Sequence, residues 1–352
     1  MIIYFLIFSL ILVCCILSSV IDSKLLSIFL AIVLIFFSGL RGEIDGDYVA
    51  YYQRFMQYEN IVDTTEYSFI LLSNFVTNTI NHFNFLLTLY SLLSISLLTY
   101  VILVIGNANI YVFLFYYSYY FFLHPMTQIR AAVGVTLVLV SLRFILNRDL
   151  LKFLICLALG YFFHISVISF LPFYWILTKY ELNVTRCLIL MALVVTMSQL
   201  FPITLLISNI LPSDSQVPIF LKMLAYFNIV ENGIGVKTAN IYFIVAVIKL
   251  CFNLIIRIVY KESFEENRYY KLCLDLYFWA YITYIFFADM NVVGARFAEM
   301  FGFVEILLLP QLILWSRYPL AIKCFIITLS FFQLLVVLYV FNLFKPYTVG
   351  IL

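Results

Sequence analysis

An arginine, three carboxylates and a row of aromatic side chains crowd one short stretch of this chain. Arg41-Gly42-Glu43-Ile44-Asp45-Gly46-Asp47-Tyr48 runs on to Tyr51, Tyr52, Arg54 and Phe55. Its two glycines allow a sharp turn. A guanidinium there would grip an anionic group while Asp45 or Asp47 takes a proton from a hydroxyl. The plainer reading is a solvated turn with a local ion pair. The carboxylate spacing is not that of a metal site, although two nearby carboxylates would suffice for Mg²⁺ or Mn²⁺.

Three further constellations carry the same chemistry. In His124-Pro125-Met126-Thr127-Gln128-Ile129-Arg130 the proline ends one helix and suits the first turn of the next. Arg130 then stands one turn inside an apolar helix, where an arginine costs about 2.5–3.5 kcal/mol unless paired or wetted. His164, in GYFFHISVISF, is a polar ring midway along an apolar run. It would act as a general base, as a donor to a phosphate oxygen, or only as a satisfied histidine at a helix break. Last, Asp289-Met290-Asn291-Val292-Val293-Gly294-Ala295-Arg296-Phe297-Ala298-Glu299 puts Arg296 and Glu299 three residues apart, on one helical face. A self-satisfied salt bridge is the alternative there, and a helix-packing hydrogen bond is the plain account of Glu305.

The elements that hold these residues are apolar. Of 352 residues, 65% are hydrophobic and 11% charged, against about 25% charged in soluble domains. The surplus excludes a soluble fold. No basic block suggests nucleic acid. The seven cysteines lie in or beside apolar runs without a CxxC pair and read as small hydrophobes, not as a disulfide or zinc framework. There is no Walker A motif, GxGxxG or internal repeat.

A span takes about 20 apolar residues. Candidates cover 2–21, 25–40, 84–105, 109–124, 126–146, 152–163, 165–178, 187–206, 241–259, 272–289, 297–315 and 319–343, provided that 152–178 is broken at His164. The expectation is an all-α polytopic membrane protein with about twelve transmembrane helices in a single domain, 1–352. Residues 66–82 form an amphipathic helix suited to an interface, with Ser73, Asn74, Thr77, Asn78 and Asn81 as its polar row. Segments 40–66 and 207–240 are outer loops. With residue 1 outside, twelve of the twenty Lys and Arg fall inside, seven outside, and Lys249 lies within a span, as the positive-inside bias requires. Arg41, Arg130 and Arg296 then share the outer face. Planar guanidinium forks bind phosphate oxygens in pairs, so a lipid-linked phosphate or diphosphate suits them. The aromatic run 111–123, YVFLFYYSYYFFL, is expected to form an interfacial belt, with sugar stacking as the other reading.

The segment SGLRGEIDGDYVAYYQRF (38–55) resembles the signature of the EpsG-like polysaccharide polymerases. QIRAAVGVTLVLVSLRFI (128–145), GYFFHISVISFLPFY (160–174) and GARFAEMF (294–301) resemble three later motifs of that family, in the same order. The resemblance implies an O-antigen or exopolysaccharide polymerase of the Wzy type, with an architecture like the GT-C glycosyltransferases. It implies transfer of a growing glycan from undecaprenyl diphosphate onto the non-reducing end of a lipid-linked repeat unit. The site would face the periplasm from a bacterial inner membrane. Arg41, Arg130 and Arg296 would hold the diphosphate. Asp45, Asp47, His164 or Glu299 would take the hydroxyl proton, supported by His124, Gln128, Tyr48 and Tyr51. No cofactor is required, and a divalent cation is left open. Partners would be undecaprenyl-diphosphate-linked oligosaccharides, membrane lipid, a chain-length regulator and a flippase. An O-antigen ligase, a transporter of lipid-linked oligosaccharide and a membrane acyltransferase are the other readings.

Overall fold

The computed structural model describes residues 1–60, 67–106, 109–200 and 241–350. The expected outer loop 207–240 and residues 61–66 of the other lie outside this set. Helices follow the apolar runs closely: α1 (Ile2–Leu17), α2 (Ser23–Gly39), α3 (Gly46–Met56), α4 (Tyr67–Thr79), α5 (Phe83–Tyr100), α6 (Tyr111–Ser118), α7 (Ile129–Leu146), α8 (Leu150–Phe163), α9 (Phe173–Lys179) and α10 (Val184–Leu200). After residue 240 come α11 (Ile241–Val259), α12 (Lys261–Glu266), α13 (Arg268–Phe286), α14 (Asn291–Gly302), α15 (Glu305–Trp315) and α16 (Pro319–Leu335). Among the described residues there is no strand, only two isolated antiparallel bridges, Arg41 with Val349 and Asp45 with Phe344.

Four segments have the length and apolarity to cross a bilayer: Phe83–Ile105, Ile129–Leu146, Tyr242–Val259 and Pro319–Val340. Val292–Gly302 with Glu305–Trp315 makes a fifth if counted as one broken span. Other apolar helices, such as Ile2–Leu17 and Ser23–Gly39, are shorter. The protein is a helical membrane protein.

Two compact units divide it: Met1–Tyr174 with Ile306–Leu352, and Trp175–Glu305. In the first, α2 packs along α5, and α5 and α8 along α7. Gly39 lets α2 approach Thr88 of α5 closely. Beneath α3 lies a buried cluster of Phe55, Phe69, Val76, Phe83, Tyr90, Ile129 and Val133, which joins α3, α4, α5 and α7. Helix α4 buries Phe69, Ser73 and Val76 and exposes Leu71 and Phe75. Its expected polar row is therefore split, because Ser73 turns inward. The aromatic run 111–123 is core rather than an interfacial belt: Tyr116, Tyr117, Phe121 and Phe122 are buried, because α6 packs between α1 and α16.

The break at His164 is present. Helix α8 ends there in extended backbone (φ −150, ψ 120) and a 3₁₀ turn, Ile165–Phe170, follows. Two glycines seat that turn. A Cβ on Gly134 of α7 would meet Val167 Cγ2 at 2.8 Å, and one on Gly160 of α8 would meet Val167 Cγ1 at 2.8 Å. Small residues allow such approach between helices in lipid, where packing replaces the hydrophobic drive.

In the second unit, α13 packs on α11 and α14. Arg257 is one of the twelve cations that the positive-inside count places on the inner face. It is buried instead, donating to Asp275 Oδ1 at 2.8 Å and to the carbonyl of Leu182 at 2.7 Å. Breaking one side of such a pair typically costs 3–5 kcal/mol, roughly, by leaving a buried charge.

Overpacking a core costs about 1–3 kcal/mol. Gly134→Ala should therefore lower the melting temperature of the detergent-solubilised protein, and adding Val167→Ala should recover part of the loss. A melt unaffected by Gly134→Ala would show that the His164 turn is not seated as described.

Candidate functional site

Helix α3 starts from a side-chain cap. Asp45 Oδ1 accepts the backbone N–H of Asp47 at 3.0 Å and of Tyr48 at 2.9 Å, satisfying two donors that a helix start leaves open. Its Oδ2 accepts from Arg41 Nε at 3.3 Å, and Arg41 Nη1 donates to the carbonyl of Ser38 at 2.7 Å. Arg41 is fully buried at 0% exposure and Asp45 at 3%. Burial pushes the Asp45 carboxyl up, while the Arg41 charge and the hydrogen bond from Tyr48 pull it down. Taking two ions out of water costs several kcal/mol each, so this pair fixes position more than it adds stability. Arg41 Nη2 is also buried and has no hydrogen-bond partner among the described residues.

Asp47, by contrast, is exposed. It precedes Tyr51 by four residues and so shares a face of α3 with it. The Arg130 guanidinium lies 5.8 Å from the centroid of the Tyr51 ring, within cation–π range. Tyr51 also leans on Phe69 at 5.8 Å, and Tyr48 sits edge-on to Phe83 at 5.1 Å. The tyrosines thus anchor α3 to the buried cluster, and Arg130 meets α3 at Tyr51.

Arg130 and Gly134 are four residues, just over one turn, apart on α7, about 6 Å along the axis. A Cβ on Gly134 would lie 3.4 Å from His164 Cβ, so His164 joins the α7 face that carries Arg130. The His164 ring is itself a cap. Its Nδ1 accepts the backbone N–H of Ser166 at 3.3 Å and lies 2.5 Å from Ser166 Oγ. With Nδ1 accepting, a neutral ring carries its proton on Nε2 and acts there as a donor. His124 is buried in the π-helical turn Phe122–Thr127 and stacks on Tyr120 at 6.1 Å. Gln128 is half-buried and starts α7.

The first unit therefore gathers Arg41, Asp45, Asp47, Tyr48, Tyr51, Arg130 and His164, though they span more than a hundred residues of sequence. Arg296 and Glu299 belong to the second unit. On α14 their charged atoms are 3.7 Å apart, with the Arg296 side chain 49% exposed.

Some polar groups had no assigned partner in the sequence. Lys249 Nζ donates to Glu305 Oε2 at 2.6 Å and to Tyr281 Oη at 2.9 Å, and Tyr277 donates to Glu305 Oε1 at 3.1 Å. This accounts for Glu305 as a packing hydrogen-bond acceptor, now with a cation attached. Asn84 was missed altogether. It donates to the carbonyls of Gly39 at 3.0 Å and Arg41 at 2.7 Å. A lone asparagine beginning an apolar helix was its only signal. Among the described residues no His, Cys, Asp and Glu cluster could hold a metal ion.

Apolar helices long enough to cross a bilayer make this a helical membrane protein, and its first unit sets a cation over an aromatic ring. The chain belongs to the EpsG family, whose model matches residues 24–349. Membership supports a polysaccharide-polymerase-type role at a membrane and a glycosyltransferase-like enzyme class. Neither the curated proteins nor the solved structures contain a match.

Replacing Asp45 alone strands a buried guanidinium, so Asp45→Asn should destabilise the protein by about 3–5 kcal/mol. The amide oxygen can still cap α3. The double variant Arg41→Met, Asp45→Asn should therefore melt above the single one; equal or lower melting would mean that the two charges are not coupled. A raised folded pKa means that the native state holds more protons than the unfolded one. The Asp45 contribution to stability accordingly falls as pH rises through the carboxylate range, and Asp45→Asn should remove that slope.

Proposed function

We propose that this protein polymerises a polysaccharide by moving a growing glycan from undecaprenyl diphosphate to the non-reducing end of a lipid-linked repeat unit. The observation that carries the reading is the placement of Arg130 beside Tyr51 and one turn from His164, with Asp47 on the same face of α3 as Tyr51. The acceptor oxygen attacks the anomeric carbon. The bond from that carbon to the diphosphate breaks, its electron pair leaves with the diphosphate oxygen, and the hydroxyl proton passes to a carboxylate.

Asp47 is the preferred base, because it is exposed while Asp45 is buried, capping α3 and paired to Arg41. Arg130 and the Nε2–H of His164 would meet the diphosphate. Charge stabilisation in the transition state is usually the largest catalytic contribution. In this reading Arg41 acts through the turn rather than on the substrate. Arg296, with Glu299, remains a second candidate for the anion.

The outer, periplasmic orientation is part of the same proposal. Tyr4 Oη donates to the carbonyl of Lys345 at 2.9 Å, and Tyr117 Oη to that of Tyr4 at 2.9 Å. The start of α1, the end of α6 and the segment after α16 therefore lie together, as an even number of crossings between Tyr4 and Lys345 requires. A break at His164 keeps the expected count even. Transport is less well supported. Lys249 and Asp275, ionisable groups expected in the inner half, are held by Glu305 and Arg257 as closed ion pairs.

Purified protein reconstituted with lipid-linked repeat units should build a glycan ladder. Arg130→Ala and Asp47→Asn should each reduce it by at least a hundredfold, consistent with about 2.7 kcal/mol or more from one transition-state contact. His164→Asn keeps a side-chain acceptor for Ser166 but lacks the distal donor, and should slow turnover about tenfold or more with the melt unchanged. Full ladders from Arg130→Ala would refute the assignment. Lipid translocation without any ladder from the wild type would point to a transporter.

A further inference from the structure

The turn that launches α3 is held from two directions. From one side, Asn84, 3% exposed, donates to the carbonyls of Gly39 and Arg41. From the other, the segment that follows α16 runs antiparallel to the turn. Gly42 N–H donates to the Thr348 carbonyl at 2.8 Å, Lys345 N–H to the Ile44 carbonyl at 2.8 Å and Gly350 N–H to the Leu40 carbonyl at 2.9 Å. Tyr347 stacks on Phe37 at 4.4 Å and donates to its carbonyl at 2.9 Å. Lys345 pairs with Glu43 at 3.0 Å; both are exposed, so this contact adds little.

The two restraints interlock. A Cβ on Gly350 would come within 2.5 Å of Asn84 Oδ1 and 2.7 Å of Nδ2, so only glycine lets the segment close over the asparagine. Likewise a Cβ on Gly42 would meet Thr348 Oγ1 at 2.7 Å. Tyr347 lies near enough to Arg41 for the guanidinium charge to act on its phenol, which burial pushes up to about 12. Three backbone bonds thus bear on Leu40–Ile44, the stretch that sets where α3, and with it Asp47, begins, and a stacked ring bears on Phe37 just before it.

We propose that Asn84 and the segment Phe344–Gly350 are positioning residues: by clamping Leu40–Asp45 between them they set the carboxylate of α3 against the Arg130 and His164 face. This rests on the reading above, in which that carboxylate takes the acceptor's proton. The segment acts through the turn and not on the substrate. Its loss leaves the helices in place and misplaces the base, so turnover falls while affinity for the lipid-linked donor holds.

Hydrogen–deuterium exchange and polymerisation kinetics of the full chain, of a variant lacking residues 344–352 and of Gly350→Val decide it. In both variants amides 40–50 should exchange at least tenfold faster, amides 129–146 should stay protected, and kcat should fall at least tenfold with donor KM within twofold. Gly350→Val serves if the deletion does not fold, since it displaces Asn84 alone. Unchanged exchange over 40–50 overturns the clamp. Faster exchange with unchanged kcat, or a loss confined to KM, overturns the positioning role. Gly42→Cys with Thr348→Cys should form an intramolecular disulfide on mild oxidation, and failure to do so counts against the pairing. If the wild type builds no ladder, the functional reading fails, and exchange and crosslinking still judge the clamp.

Discussion

A charged pair buried at a helix start governs the first unit of this protein. Arg41 and Asp45 are both out of water, and neither could stay charged there alone. Asp45 meets the constraint by serving two clients, the guanidinium and the open N–H groups of α3. Arg41 meets it with Asp45 and the Ser38 carbonyl. The turn between them cannot drift without exposing one charge to a medium that does not solvate it. Everything that α3 presents, from Asp47 to Tyr51, inherits its register from that turn.

The polar logic of the rest of the molecule is similar. Lys249 with Glu305, and Arg257 with Asp275 and Asn253, are local solutions to the cost of charge among apolar helices. Each is closed on itself, with hydroxyls or carbonyls taking up remaining capacity. Around Arg130 and His164 the arrangement differs. The Arg130 guanidinium lies over the Tyr51 ring, and the histidine directs its acceptor nitrogen to its own backbone.

Much of this was legible in the sequence. Long apolar runs gave the helices, because nothing but a bilayer or a core tolerates them. The broken helix followed from one histidine and the balance of cations. Arg130 and His164 stood out as polar groups in apolar surroundings, and Asp47 as one of three carboxylates beside an arginine; all three lie in the first unit. Other features were hidden for physical reasons. Arg41 and Arg257 looked aqueous because charge counting along a chain cannot see a neighbour that covers it. The aromatic run at 111–123 looked interfacial because periodicity does not say how many helices surround an element. Asn84 and Phe344–Gly350 form long-range contacts through carbonyls, which every residue has, so no pattern of side chains announces them.

The clamp on the turn spans most of the chain, since Glu43 and its partner Lys345 are 302 residues apart. A ribosome adding about 5–20 residues per second needs roughly 15–60 s to cover that distance. During that interval α1 and α2 are already made, and the turn between α2 and α3 has only its own side chains to hold it. Completion of this face therefore waits for Phe344–Gly350, so a nascent chain paused in the membrane before that point carries α3 without the segment that restrains its turn.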